Sequence, residues 1–412
     1  MSFRVGVLSE IAVIEMGQSP KGELCNTSGE GVPLLNGPTE FGSRYPVPIQ
    51  YTIEPKKRAQ KGDLLFCVRG STTGRMNWAD QEYAIGRGLA AISPIHKNTS
   101  NFVRAAIEYK LEELLNIATG STFPNLQKKM IENLSVSIPN VSEMLKINSF
   151  FYSIDEKIEV NNQIKKILED MAKAIFKEWF LDFEFPNEEG ELYKSSGGKM
   201  VESELGKIPE GWEIKEINDI SSNISKGTTP KSKDINSATD KKDIYFIKVK
   251  DIQTDGYINY INVEKIPKSI HLNSLKRSIL EEKDILLSIA GTIGRISYIS
   301  DVYNGVNSNQ AIAFIRLKDS AKYFNFLLYY MKSSIFQNEI SSKIVQAVQA
   351  NVSLSVIKAI RLVLPNDSNL KKFNEVIQPI VTKIEILRNE NESLIGIRES
   401  LMPKLLSGEI EL

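Results

Sequence analysis

FPNLQKKMIENLSVSIP (residues 123–139) recurs as QANVSLSVIKAIRLVLP (residues 349–365), pairing Asn125 with Asn351 and Pro139 with Pro365 at a constant offset of 226 residues. The offset runs on without a gap, so that Lys157-Ile158-Glu159 meets Lys383-Ile384-Glu385. Earlier landmarks recur at 210 to 226 residues: GQSP (residues 17–20) as GTTP (residues 227–230), KGDLLF (residues 61–66) as EKDILLS (residues 282–288), and the turns RGSTTGR (residues 69–75) as AGTIGR (residues 290–295). A chain that repeats itself at this period builds two similar modules, each followed by a similar connecting segment.

The connecting segments read as helices by period. Phe373, Ile377, Ile380, Ile384, Leu387, Asn391, Leu394, Arg398, Leu401 and Leu405 alternate steps of four and three, the seam of a coiled coil. The first copy gives Ile147, Phe151, Ile154, Ile158, Asn161, Lys165, Leu168, Ala172, Ile175 and Trp179 in the same register. Stripes of about 33 residues span roughly 50 Å at ~1.5 Å per residue, more than one small domain covers. Two stripes of equal length bury each other most simply as an antiparallel pair, with polar Asn161, Lys165, Asn391 and Arg398 fixing register at some cost in stability. Pro379 predicts a kink or a late start in the second helix.

The modules read as mixed α and β. LLFCV, YAIGRGLAAIS, LSVSIP, IYFIKV, DILLSIA, AIAFIRL and AIRLVLP are short β-branched or aromatic runs bounded by turn residues. A helix-like stretch, VRAAIEYKLEELLNIA or YFNFLLYYMKSSIFQNEI, precedes the last strand of each copy. The expected fold is therefore α+β: two mixed α/β modules separated by two long antiparallel helices, with an internal pseudo-two-fold repeat. The boundaries are residues 1–141 for the first module, 142–184 for the central helix, 185–204 for a linker, 205–368 for the second module and 369–412 for the C-terminal helix.

Composition matters mainly for what it removes. The 412 residues contain two cysteines, Cys25 and Cys67, and two histidines, His96 and His271, too few for a disulfide framework or an all-cysteine zinc site. Both histidines read as surface or loop residues, and the cysteines as small buried hydrophobes. The longest apolar run, about six residues, falls far below the ~20 a membrane span needs, and the start lacks a signal-peptide core, so a cytoplasmic protein is expected. The glycine turns lack the Lys-Ser/Thr of a phosphate-binding loop and read as strand-to-strand turns. No Gly-rich cofactor loop, amino-methyltransferase segment or nuclease cluster is present, so nothing carries catalysis. The net charge is zero, but the first module, the segment 141–204, the second module and the tail carry +2, −6, +5 and −1. Two mildly basic modules flanking an acidic connector suit anion-facing modules on a solvated spacer.

Three further strings resemble the specificity (S) subunits of type I restriction-modification systems: AIFKEWFLDFEFP (residues 174–186), ESELGKIPEGWEIKEI (residues 202–217) and LMPKLLSGEIEL (residues 401–412). GQSP and GTTP sit where that family has its Gly-x-Thr/Ser-Pro segment, and the resemblance covers essentially the whole chain. It implies two target-recognition domains, each reading one half of a bipartite, asymmetric double-stranded DNA target. The helices would set the spacer and dock two modification subunits carrying S-adenosylmethionine, and motor-nuclease subunits would complete the restriction complex. The resemblance implies no catalysis and no cofactor on this chain, with S-adenosylmethionine, ATP and Mg expected on the partners. The second module lacks an equivalent of the run Lys56-Lys57-Arg58, so base contacts do not transfer residue by residue between copies.

Base readout needs Arg or Lys for guanine and Asn or Gln for adenine, while other cations hold phosphates. The candidate loop residues are Arg44, Lys56, Lys57, Arg58, Arg69, Arg75 and Arg87 in the first module. In the second they are Lys226, Lys231, Lys233, Lys248, Lys250, Arg295, Asn309 and Gln310. The candidates for partner docking are the outward helix faces and the aromatic cluster Phe176, Phe180 and Phe183 with Trp179. Two other classes stay open on sequence alone: a self-contained restriction or modification enzyme, which S-adenosylmethionine binding would reveal, and a coiled-coil interaction scaffold, which would lack salt-dependent duplex binding.

Overall fold

The computed structural model of the chain describes residues 3–119, 124–345 and 351–412. Phe123, Gln349 and Ala350, at the heads of the repeated strings, lie outside these residues. The chain divides into two compact units, one of Met1–Asn162 with Glu390–Leu412, the other Gln163–Asn389.

In the first unit a four-stranded antiparallel sheet runs in the order Ala12–Met16, Leu89–Pro94, Leu64–Cys67, Met76–Trp78. Alternation along each strand sends side chains to opposite faces, and here both faces are covered. Leu64, Phe66, Ala90 and Ile92 join a core with Phe102, Val103 and Ile107 of the helix Ser100–Tyr109. Leu65, Cys67, Leu89 and Ala91 pack under a second sheet instead. Burial on both sides is why LLFC and LAAI are unbroken apolar runs rather than alternating ones. The second sheet holds a parallel pair, Val32–Leu35 with Tyr83–Ile85.

The second unit repeats this plan. Its four-stranded sheet runs Ser221–Lys226, Ile312–Leu317, Ile285–Ser288, Ile296–Tyr298. Ile285, Leu287 and Ile315 face the helix Ser320–Lys332, while Leu286, Ile312 and Phe314 face a smaller core. A parallel pair recurs between Lys242–Ile247 and Asn307–Ser308. In each module a strand near its start pairs antiparallel with its last strand, Arg4–Val7 with Ser135–Ile138 and Glu213–Glu216 with Arg361–Leu364, delivering the chain to the start of a long helix.

Those helices are Val141–Phe180, of 40 residues, and Asp367–Ser407, of 41. Pro379 neither delays nor breaks the second one. The helix starts at Asp367, and buried Phe373 and Ile377 before the proline, with Val381 and Ile384 after it, anchor both sides. Tertiary packing thus outweighs the ~3 kcal/mol that a helix-interior proline costs. Within the first unit Asp155 meets Arg398 and Asn161 meets Asn391, so the two helices run antiparallel there. Within the second, Glu169 meets Arg388 and Trp179 meets Phe373, the same sense. Every seam residue expected from the sequence is buried or half-buried, from Ile147, Phe151, Ile154, Ile158, Leu168, Ile175 and Trp179 to Ile380, Leu387, Leu394, Leu401 and Leu405.

Candidate nucleic-acid interface

The two glycine motifs do the same job in both modules. Gly17 N donates to Leu89 O at 2.9 Å and Gln18 N to Ile85 O at 2.9 Å; Gly227 N donates to Ile312 O at 2.9 Å and Thr228 N to Ser308 O at 3.0 Å. Each motif thereby clamps the tight turn that enters the sheet's second strand, closed by Leu89 N to Gly86 O and by Ile312 N to Asn309 O. Glycine is required by proximity: a Cβ on Gly17 would lie 2.2 Å from Gly86 O, and one on Gly227 2.2 Å from Ser308 O. Such contacts displace backbone, which does not yield cheaply.

The turns RGSTTGR and AGTIGR connect adjacent antiparallel strands, as expected of glycine turns without the Lys-Ser/Thr of a phosphate-binding loop. Gly74 N bonds Cys67 O and Gly294 N bonds Ser288 O across them. Arg75 stays exposed, with Nη1 3.5 Å from Pro38 O, and Arg69 is exposed with its Nε on Asn125 Oδ1 at 3.0 Å. Arg295 differs. Its guanidinium turns inward onto Val249 O and Ile252 O, so it holds the loop before residue 253 rather than facing outward.

Several other candidate cations are already engaged. Arg44 pairs with Glu156 of the central helix. In the basic run, Lys56 pairs with Glu54, Lys57 with Glu15 at 2.6 Å and Arg58 with Glu82. Lys248 pairs with Glu264. Apart from the half-buried Arg44 pair, these lie at the surface, where such pairs contribute little and exchange readily, but each acid cancels charge that the sequence alone counts as available. Lys226, Lys231, Lys233 and Lys250 are exposed and, among the described residues, face no acid. Asn309 is half-buried, its Oδ1 receiving Ala311 N at 3.3 Å, and Gln310 is exposed beside Thr229.

The aromatic cluster expected to dock a partner is mostly inside. Phe176 and Phe180 are buried against Phe326 and Phe373, with ring centroids 4.7 to 6.1 Å apart, and Trp212 closes on Phe180. Burying one phenyl group stabilises by about 1.5–3 kcal/mol, so these rings belong to the core. Phe183 is half-buried against Trp212, in the left-handed region at φ 63°. His271, expected at the surface, is buried with Nδ1 2.7 Å from Asn307 Oδ1. The outward face of the central helix instead leaves apolar side chains exposed: Leu145 and Tyr152 in the first unit, and Ile164, Ile167 and Met171, at steps of three and four, in the second.

Sequence periodicity missed two polar clusters that tie each module to both long helices. In the first unit Asp155 lies between Arg398 at 2.9 Å and Arg104 at 3.1 Å. In the second, Glu169 lies between Lys332 at 3.1 Å and Arg388 at 3.8 Å. Burial holds the Lys332 ammonium below its ordinary value, with Glu169 opposing the shift and Arg388 adding to it. The Arg388 guanidinium also stands over the rings of Tyr257 and Tyr298. Each cluster has its acid on the central helix and an arginine on the C-terminal one. The sequence signal that marks them is a basic residue in an apolar stretch of a module helix, Arg104 within FVRAAI and Lys332 at the end of FLLYYMK. Among the described residues no group of three or more His, Cys, Asp or Glu side chains is placed to hold a metal ion, and no helix is long and apolar enough to cross a membrane.

Comparison with known proteins gives a consistent result. Residues 2–170 and 209–395 match the type I restriction modification DNA specificity domain, one copy per module. The chain is 27% identical over 365 residues to the type I restriction enzyme MjaIX specificity subunit of Methanocaldococcus jannaschii, covering 85% of this chain and 78% of that one. It is 24% identical over 420 residues to the HindI specificity subunit of Haemophilus influenzae, covering 87% of this chain and 88% of that one. The crystal structure of a type I restriction-modification S subunit from M. genitalium shares the fold, with a TM-score of 0.59 at 16% identity over 98% of this chain and 96% of that one.

Proposed function

This chain belongs to the type I restriction modification DNA specificity family, and on that premise we propose how its two modules divide the work. It is the sequence-specificity subunit of a restriction-modification complex and is not catalytic by itself. Each module reads one half of a bipartite double-stranded DNA target. The long helices set the distance between the half-sites and carry the partners. The observation that supports this division most directly is the pair of clamped turns. Two copies of one backbone device, held by the same hydrogen bonds at Gly17 and Gly227, present different side chains. Identical frames with different contact residues are what two readers of unlike sequences need.

The expected partners are two modification subunits carrying S-adenosylmethionine and motor-nuclease subunits using ATP and Mg. The exposed apolar residues Leu145, Tyr152, Ile164, Ile167 and Met171 of the central helix are the surface we assign to the modification subunits. Charge supports a weak grip on DNA by the chain alone: the modules are only mildly basic, and intramolecular acids cover part of that charge. Phosphate neutralisation sets both affinity and its salt dependence. The test is to assemble the chain with its modification subunit and S-adenosylmethionine and to sequence the DNA it methylates. A two-part motif with a fixed spacer is expected, and none from the chain alone. Methyl transfer by the isolated chain would refute the reading.

A further inference from the structure

Each clamped turn carries one exposed side chain at the same backbone position. Gly17 and Gly227 bond Leu89 and Ile312, and Leu89 and Ile312 in turn close the turns through Gly86 and Asn309. The residue after each closing carbonyl is therefore equivalent in the two modules, and it is Arg87 in one and Gln310 in the other. The neighbouring backbone is fixed by the clamp, while both side chains are exposed. Among the described residues the Arg87 guanidinium faces no acid, unlike Lys57 and Arg58, whose backbone lies against Tyr83–Ile85 and whose side chains pair with Glu15 and Glu82.

The third residue of each motif touches the same position, in a manner suited to each side chain. The Arg87 amide donates to Ser19 Oγ at 3.3 Å, leaving the guanidinium unspent. The Thr229 hydroxyl donates to Gln310 Oε1. That bond orients the amide, leaving Oε1 one further lone pair and Nε2 both protons. A guanidinium, which only donates, needs no such orientation.

We infer that Arg87 and Gln310 are the matched base-reading residues of the two modules, Arg87 donating to O6 and N7 of a guanine, and Gln310 donating to N7 and accepting from N6 of an adenine. Those are the bidentate pairings these side chains make in the major groove. The inference rests on the reading of each module as a half-site reader, and Thr229 is then a positioning residue for Gln310.

The test uses the complex with its modification subunit and a duplex library randomised in both half-sites, read for methylation and for binding at several salt concentrations. Arg87→Gln should change one required guanine to adenine in a single half-site. Gln310→Arg should change one adenine to guanine in the other, each by about 5- to 150-fold in preference. Thr229→Val should weaken discrimination at that adenine alone. Should a swap fail to assemble, Arg87→Ala and Gln310→Ala are read for lost discrimination at the same single positions. An unchanged motif in these variants overturns the inference, as does weaker binding to all sequences alike with a shallower salt dependence, which marks phosphate contacts. A wild-type complex with no bipartite motif would instead remove the reading on which the inference rests.

Discussion

Asn161 of the central helix donates its side-chain amide to Asn391 Oδ1 of the C-terminal helix at 2.9 Å, both side chains being buried in the seam of the first unit. Asn161 Nδ2 also reaches Glu390 Oε2 at 2.9 Å, and Asn391 Nδ2 reaches Asn162 Oδ1 at 3.0 Å. A polar pair in an apolar seam costs stability but admits one register, since any slip strands both amides.

Asn161→Leu should therefore destabilise the chain by about 1–3 kcal/mol, because Asn391 Oδ1 loses its donor in a buried place. The double change Asn161→Leu with Asn391→Leu should recover most of that loss and loosen the register. Urea unfolding of both variants measures the first effect. Size-exclusion chromatography for mixed association states measures the second.

Glu169 compensates two cations at once, Lys332 and Arg388, whose side chains are only 10% and 12% exposed. Glu169→Gln should cost about 3 kcal/mol or more, as removing one partner of a buried pair does. Lys332→Met added to Glu169→Gln should restore part of the loss, since one uncompensated charge disappears. A double-mutant cycle by chemical denaturation checks the coupling.

Glu385 supplies a pH dependence. Burial holds its carboxyl above the ordinary value of 4.5; Asp301 and Glu282 push the same way, against the Tyr298 hydroxyl and Arg388. With the folded value raised, the folded chain holds more protons than the unfolded one above pH 4.5, so the stability Glu385 contributes is present below that pH and lost as pH rises through the raised value. Glu385→Gln should be more stable than wild type at pH 7, with the difference vanishing below pH 4.5. Denaturant melts across that range decide it.

The repeat and the seam were legible in the sequence because periodicity reports burial directly: Ile147, Phe151, Ile377 and Leu405 face the core at the expected steps. The strand runs were legible for the same reason. What charge counting does not show is pairing across the fold. Arg44, Lys57 and Arg58 look available in sequence, yet their acids Glu156, Glu15 and Glu82 come from elsewhere in the chain. Phe176 and Phe180 looked like a docking surface because their partners Phe326 and Phe373 lie about 150 to 200 residues away. Pro379 shows the limit of local propensity, since long-range packing carries the helix through it.

The glycine clamp gives a module-specific prediction. Gly227→Ala places a Cβ 2.2 Å from Ser308 O and should cost about 1–3 kcal/mol through forced backbone movement. In the assembled complex it should blur one half of the methylated motif and leave the other intact, while Gly17→Ala should do the converse. Methylation profiling of each variant reads this out.

The central claim is that the two modules read independently, and exchanging residues 1–141 for the corresponding module of another specificity subunit tests it most directly. The exchanged chain, assembled with its modification subunit, should methylate a motif with one half replaced and the other half and spacer unchanged. A change in both halves would contradict independent reading.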